Sequence, residues 1–169
     1  MRSIFSLLLA LSCIAVADAA ASAPTQTQAT ANVSVTGWRL ECDPVKATLA
    51  CRALDQIVSG NGSLVIGFAV NEGVSGKATL TMQVPLGAAV SKPIAVTFGD
   101  KSQSFDYVTC SQQGCFAIAP IEPAILDTMR KGSGTMTVSY TMLDQNLAGH
   151  AVTATISVAG FDQVYKKLQ

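Results

Sequence analysis

Thr135-Met136-Thr137-Val138-Ser139-Tyr140-Thr141-Met142 sets a hydroxyl-bearing side chain at every odd position and a large apolar or aromatic one at every even position. A period of two is that of a pleated strand with one face in the core and one in water. Lys77-Ala78-Thr79-Leu80-Thr81-Met82-Gln83-Val84 keeps the same alternation. Val152 to Val158 repeats it as Val-Thr-Ala-Thr-Ile-Ser-Val, with β-branched residues suited to a pleated surface. Less regular strands are expected at Val33 to Cys42, Ala47 to Leu54, Leu64 to Val70, Ile94 to Phe98, Phe105 to Cys110 and Cys115 to Ala119. Turn formers divide them at Asp43-Pro44, Ser59-Gly60-Asn61-Gly62, Asn71-Glu72-Gly73, Pro85-Leu86-Gly87 and Gly132-Ser133-Gly134. Many short strands separated by turns describe an all-β antiparallel sandwich or barrel. No internal repeat and no shift in composition marks a second domain.

One helix interrupts the strands. Ile121, Ile125 and Met129 share a face, Pro123 suits a first turn, and Gly132 can close the end in a left-handed conformation after Arg130-Lys131. Such a helix would cover one edge or end of the sheets. Asp162 to Leu168 reads either as a further short helical turn or as a frayed terminus.

The N-terminus reads as an export signal over residues 1–19. Met1-Arg2-Ser3 supplies a positive charge, Ile4 to Val16 is largely apolar, and Ala17-Asp18-Ala19 before Ala20 offers a cleavage site. The apolar run is short for a bilayer span, and no stop-transfer flank follows that would favour a retained anchor. Lipid attachment at Cys13 is the third reading, set back by the poor Ala10-Leu11-Ser12 match ahead of it. Residues 20–32, rich in Ser, Thr, Gln and Ala, read as a flexible leader, and residues 33–169 as the domain.

About 150 residues then remain, enough for one domain with a real core. The chain carries 11 Lys and Arg against 11 Asp and Glu. Losing Arg2 and Asp18 with the signal leaves that balance unchanged. Zero net charge without a basic cluster argues against nucleic acid, whose binders neutralise many phosphates. The adjacent basic pairs Arg130-Lys131 and Lys166-Lys167 suit the C-terminal ends of helices instead. A hydrophobic fraction of 49% against 13% charged excludes disorder for most of the chain.

Four cysteines form two close pairs, Cys42 with Cys51 and Cys110 with Cys115. Four thiols allow three pairings, and the local one is favoured because both pairs lie at the ends of expected hairpins. Cys110-Ser111-Gln112-Gln113-Gly114-Cys115 would face its cysteines across a four-residue loop, with Gly114 at positive φ. Each staple would stabilise by roughly 2 to 3 kcal/mol in the chain-entropy model. The gaps do not match the knuckles of structural zinc sites, and an oxidising compartment favours disulfides. Redox dithiols normally sit two residues apart at a helix start, and neither pair does.

Catalytic candidates are few. His150, the single histidine, is the one candidate general base, and its simpler reading is a surface residue at a hairpin end. Gly73-Val74-Ser75-Gly76 and Gly132-Ser133-Gly134 only graze a nucleophile elbow, and Gly76-Lys77 lacks the rest of a phosphate loop. Asp100 and Asp106 are the nearest approach to paired carboxylates, but Gly99 and Ser102 suggest a solvated loop between them. Asn32-Val33-Ser34 and Asn61-Gly62-Ser63 match the short glycosylation triplet. Trp38 is expected to anchor the core or an edge.

Trp38-x-x-x-Cys42, then Cys51, Val84-Pro85-Leu86-Gly87, Cys110-x-x-x-Gly114-Cys115, a helix ending in Lys131-Gly132, and Ser157-Val158-Ala159-Gly160-Phe161 together form an ordered signature. From about Trp38 to the C-terminus the chain resembles the invasion-associated locus B proteins of Gram-negative bacteria. The resemblance implies an immunoglobulin-like antiparallel β-sandwich with one short helix, exported to the periplasm, associated with the outer membrane or secreted. It supplies no catalytic residues, no metal and no cofactor. The expected function is a non-enzymatic cell-envelope module for interaction or host association, its partner an unidentified envelope or host protein or glycan. Two alternatives stand beside it: a small periplasmic hydrolase using His150, and a structural or stress-related periplasmic protein.

Overall fold

The structure, a computed structural model, describes residues 33–35, 37–45, 48–72 and 77–168. The expected signal peptide and leader lie outside the described residues. Among these residues eleven strands and two helices follow in order: β1 (Val33–Val35), β2 (Arg39–Val45), β3 (Thr48–Ser59), β4 (Leu64–Glu72), β5 (Ala78–Val84), β6 (Ile94–Phe98), β7 (Lys101–Phe105), β8 (Tyr107–Ser111), β9 (Gly114–Pro120), α1 (Pro123–Arg130), β10 (Thr135–Leu143), β11 (Gly149–Ser157) and α2 (Phe161–Tyr165). They build two antiparallel sheets. The larger runs β1-β3-β4-β5-β9-β8 with β2 also paired to β3, and the smaller runs β11-β10-β6-β7.

The alternation read from the sequence decides which residues fill the space between the sheets. Leu80, Met82 and Val84 from β5 and Met136, Val138 and Tyr140 from β10 are buried, while their odd neighbours are partly exposed. Ile94, Val96, Ile66, Phe68 and Ile156 complete the layer. Each fully buried side chain of this size contributes roughly 1.5 to 3 kcal/mol. The Tyr140 hydroxyl donates to the Val65 carbonyl at 2.7 Å and ties the smaller sheet to the larger. Burial pushes that phenol up to about 12. Asp55, fully buried on β3, accepts the Gln56 amide at 2.7 Å, as a carboxylate removed from water requires hydrogen-bond donors.

Several boundaries differ from the sequence reading. The run Val33 to Cys42 is two strands, because Gly37 takes φ +78° and breaks it. Asp43-Pro44 is not a turn but part of β2, paired with Ala50 and Leu49. Among the described residues β2 pairs only with β3, and an edge strand tolerates proline because one of its sides needs no N–H. β3 continues to Ser59, well beyond Leu54. The supposed solvated loop around Gly99 and Ser102 is the β6–β7 hairpin: Gly99, at φ +60°, and Asp100 form a tight turn, and Ser102 pairs with Thr97. In β7, Lys101-Ser102-Gln103-Ser104 has little apolar character, which hid the strand. The Cys110–Cys115 hairpin turns on Gln112-Gln113 alone, since Ser111 and Gly114 still pair.

α1 buries Ile125 and Met129, Ile121 is buried just ahead of it, and Gly132 closes it at φ +68° as the sequence suggests. Its start is held by Gln103 of β7, whose Oε1 accepts the Glu122 amide at 2.9 Å while Nε2 donates to the Pro120 carbonyl at 2.8 Å. Of the two readings of Asp162 to Leu168, the structure has the short helical turn, α2, which starts one residue earlier at Phe161. Phe161 and Tyr165, both buried, stack at 5.4 Å, and Trp38 meets Phe161 edge-on at 4.8 Å. A short helix that buries two aromatic rings is fixed by packing rather than by propensity.

Candidate binding face and cross-strand staples

Register places the outward side chains of the larger sheet in rows. Arg39, Leu54, Ala69, Thr81 and Ile118 stand side by side across five strands. The next row is Gln56, Gly67, Gln83 and Phe116. Gly67 and Ala69 lie on the central strand β4, with longer side chains on either flank. The result is a trough of about 480 Å³ floored by β4. A Cβ at Gly67 would meet only Leu64 and Gln83, each at 3.8 Å, so packing does not demand glycine there. Its lack of a side chain matters chiefly for the depth of the trough.

The rim is polar. Gln83 Nε2 donates to the Gln113 carbonyl at 2.8 Å, which fixes the β8–β9 turn against the trough. Arg52 Nη2 reaches Glu41 Oε1 at 2.8 Å and Asp43 Oδ2 at 3.0 Å. These ion pairs are partly solvated and add little stability, though they hold the β2 rim in place. Sequence reasoning missed this face, because nothing in the local pattern reveals that Gly67 and Ala69 become lateral neighbours of Gln83 and Leu54.

The cysteines fall where the register puts them opposite one another. Cys42 faces Cys51 across β2 and β3, Cys110 faces Cys115 across β8 and β9, and the sulfurs are 2.08 Å apart in both pairs. Gly114 takes φ +134°, and a Cβ there would lie 2.3 Å from the Val84 carbonyl oxygen. Only glycine lets this hairpin lie against β5.

His150 begins β11 opposite Met142, and its side chain is 54% exposed. Its Nε2 lies 3.1 Å from Asp144 Oδ2, while Asp144 Oδ1 accepts the Asn146 and Ala148 amides at 2.8 and 2.9 Å. The His150 hydrogen bond, then that of the Ala148 amide, holds the Asp144 carboxyl below the usual carboxylate range. This cluster braces the β10–β11 loop. His150 lines neither the trough nor the second groove beside Cys51, Glu72 and Lys167. Asp100 and Asp106 sit at opposite ends of β7, about 20 Å apart along an extended strand, beyond the reach of a carboxylate pair. Asn61 spends its Oδ1 on the Ser63 amide in a turn, and Asn32 lies outside the described residues. Among the described residues no cluster of three or more His, Cys, Asp or Glu could hold a metal ion. Among them, too, no helix is long and apolar enough to cross a membrane.

Trp38 Nε1 donates to the Ser157 carbonyl at 3.0 Å. Arg130 reaches Asp162 at 3.0 Å and lies over the Tyr165 ring at 5.5 Å, and Lys166 joins Asp162 at 2.6 Å. Arg130, the basic residue in the last turn of α1, therefore also serves the α1–α2 contact.

These sheets, staples and aromatic lock define a disulfide-stapled, two-sheet β-sandwich with one concave outer face. The family model for invasion associated locus B (IalB) protein matches residues 38–169, and the chain belongs to that family. The crystal structure of invasion associated protein B from Bartonella henselae is similar in fold, with a TM-score of 0.67 at 18% identity over 78% of this chain and 89% of that one. No curated protein matches the chain.

Proposed function

We propose that the chain is an exported, non-enzymatic envelope protein that holds a partner in the trough over β4. The carrying observation is the floor of Gly67 and Ala69 between the flanking side chains of β3 and β5, with Arg39 and Gln83 as polar groups on its walls. Most specific sites combine an apolar floor with a few placed polar groups. Export is supported by the N-terminal pattern over residues 1–19 and by two disulfides, which persist in oxidising compartments. The Bartonella protein of similar fold is named for an association with invasion. For this chain that supports a surface-facing contact with an envelope or host protein or glycan.

Gly67→Leu tests the site, because a Cβ there meets only ordinary contacts and the larger side chain would occupy the trough. Cross-linking in intact cells, followed by identification of co-purified envelope components, is expected to recover a partner with the natural chain and to lose it with G67L. Equal recovery with both chains would overturn the trough as the site. Recovery of the chain in the cytoplasmic fraction with its thiols reduced would overturn export.

A further inference from the structure

The smaller sheet ends on β11, and its neighbours fix where the backbone groups of that strand point. Met136, Val138, Tyr140 and Met142 stand opposite Ile156, Ala154, Val152 and His150. The odd residues of β10 face the other way: the Thr141 carbonyl accepts the Ala89 amide, and the Leu143 amide donates to the Gly87 carbonyl, both at 2.8 Å. The Val158 amide donates to the Gly134 carbonyl at 3.3 Å and extends the even-numbered ladder. In an antiparallel pair the N–H and C=O of one residue point to one side. Ala151, Thr153 and Thr155 thus direct theirs away from β10, and their side chains are exposed. Among the described residues β11 pairs with β10 alone. The edge closes at Ser157, whose carbonyl takes the Trp38 indole N–H.

Exposed edges recruit further strands unless charges, proline, bulges, shortness or a covering element prevent it. The other edges carry such devices. β2 has Arg39, Glu41, Asp43 and Pro44, and β1 has three residues. β8 has a register break between Tyr107 and Thr109 and is stapled by Cys110, while β7 is short, opens on Lys101 and is packed by α1. Among the described residues β11 has none of these short of its Ser157 end, where the Trp38 indole bonds: nine residues pair with β10 without a register shift, and no Lys, Arg, Asp, Glu or Pro occurs among them. Lys92 Nζ lies near the Gly149 end of the strand, 3.7 Å from where a Cβ on Gly149 would stand.

Beside this edge, Leu147 is 76% exposed and takes φ +63°. A bulky residue in the left-handed region is a backbone outlier. The β10–β11 loop thus presents a large apolar side chain to water from a strained position.

We propose that the occupant of this edge is a second copy of the chain, paired antiparallel through β11 about a two-fold axis at Thr153. That register sets Thr153 against Thr153 and Ala151 against Thr155, so no like charges meet and the threonines form a favourable cross-strand pair. It also carries Leu147 of each copy to the Ser157–Ala159 end of the other, where half-buried Trp38 lies along the edge. The same residues of each copy, on β11, its loop and the Trp38 end, therefore hold both halves of the contact, as an isologous interface requires. Dimerisation would join two four-stranded sheets into one continuous sheet.

Sedimentation velocity of the purified, oxidised chain tests this over concentrations on the order of 1 to 300 µM, suited to so small an interface. A monomer–dimer equilibrium is expected. Thr153→Lys and Thr153→Glu each place like charges at the axis and are expected to give monomers with unchanged melting. Mixing T153K with T153E is expected to restore the dimer. Ser102→Lys, exposed on β7, is expected to leave dimerisation intact. Leu147→Gly relaxes the positive φ, keeps the fold and is expected to weaken the dimer about tenfold or more. A natural chain that stays monomeric throughout, a T153K chain that dimerises as before, or a folded mixture that does not recover overturns the proposal.

Discussion

At Gly114, backbone geometry and packing agree on a single residue type. Its φ of +134° is one that L side chains rarely adopt, and the nearest atom to a Cβ would be the Val84 carbonyl oxygen. Gly114→Ala must therefore displace β9 from β5, at a cost of about 2 kcal/mol or more. Urea denaturation followed by circular dichroism measures that loss, and an unchanged midpoint would show that the hairpin yields freely. At Asp162 the determinant is charge instead: Lys166 and then Arg130 hold its carboxyl below the ordinary range. A folded pKa below the unfolded one stabilises fully above the unfolded value, near 3.9, and that stabilisation disappears as pH falls through the folded value. Asp162→Asn is expected to lower the melting temperature at pH 7 and to flatten its fall in acid. Parallel acid profiles for the two chains would contradict the pairing.

Among elements, the two hairpins with cysteines are paired by register before they are paired by sulfur. Replacing Cys110 and Cys115 together with alanine is expected to cost roughly 2 to 3 kcal/mol while leaving β8 against β9, since Ser111 still faces Gly114. Peptide mapping without reductant should recover Cys42 with Cys51 and Cys110 with Cys115, and a crossed link would overturn the register. Elements were legible in the sequence wherever one face is buried and the other wet. β5, β10 and β11 show that alternation in their residues, and α1 shows its apolar face, its first-turn proline and its closing glycine. β7 was illegible because it is an edge strand with one buried residue, Phe105, in five. The turn reading at Asp43-Pro44 failed for a related reason: turn propensity gives way where an edge strand has a partner on one side only.

Across the whole molecule, Trp38 connects three parts that lie far apart in the chain. It precedes β2 of the larger sheet, its indole bonds β11 of the smaller, and its ring meets Phe161 of α2. Trp38→Ala is expected to destabilise by about 2 to 3 kcal/mol, less than a fully buried tryptophan because the ring is half-exposed. Because the chain has one Trp, the comparison is made by circular dichroism, and equal stability would remove the aromatic lock as a determinant of the fold. The family signature thus turns out to be largely structural, with Trp38, the cysteines, Gly114 and Phe161 all holding strands and helices together.

By itself the sequence determined the class of fold, most of the strand-forming segments and the first helix, and it favoured the local pairing of cysteines. Each of these depends on side-chain period, turn chemistry or short separations along the chain, which residues a few positions apart can express. Only the tertiary structure decided that Gly67 and Ala69 floor a trough, that β11 is an edge strand among the described residues and that α2 packs against Trp38. Those features arise from lateral register and from contacts between distant segments, where the position of one residue is set by a strand that the local pattern does not name.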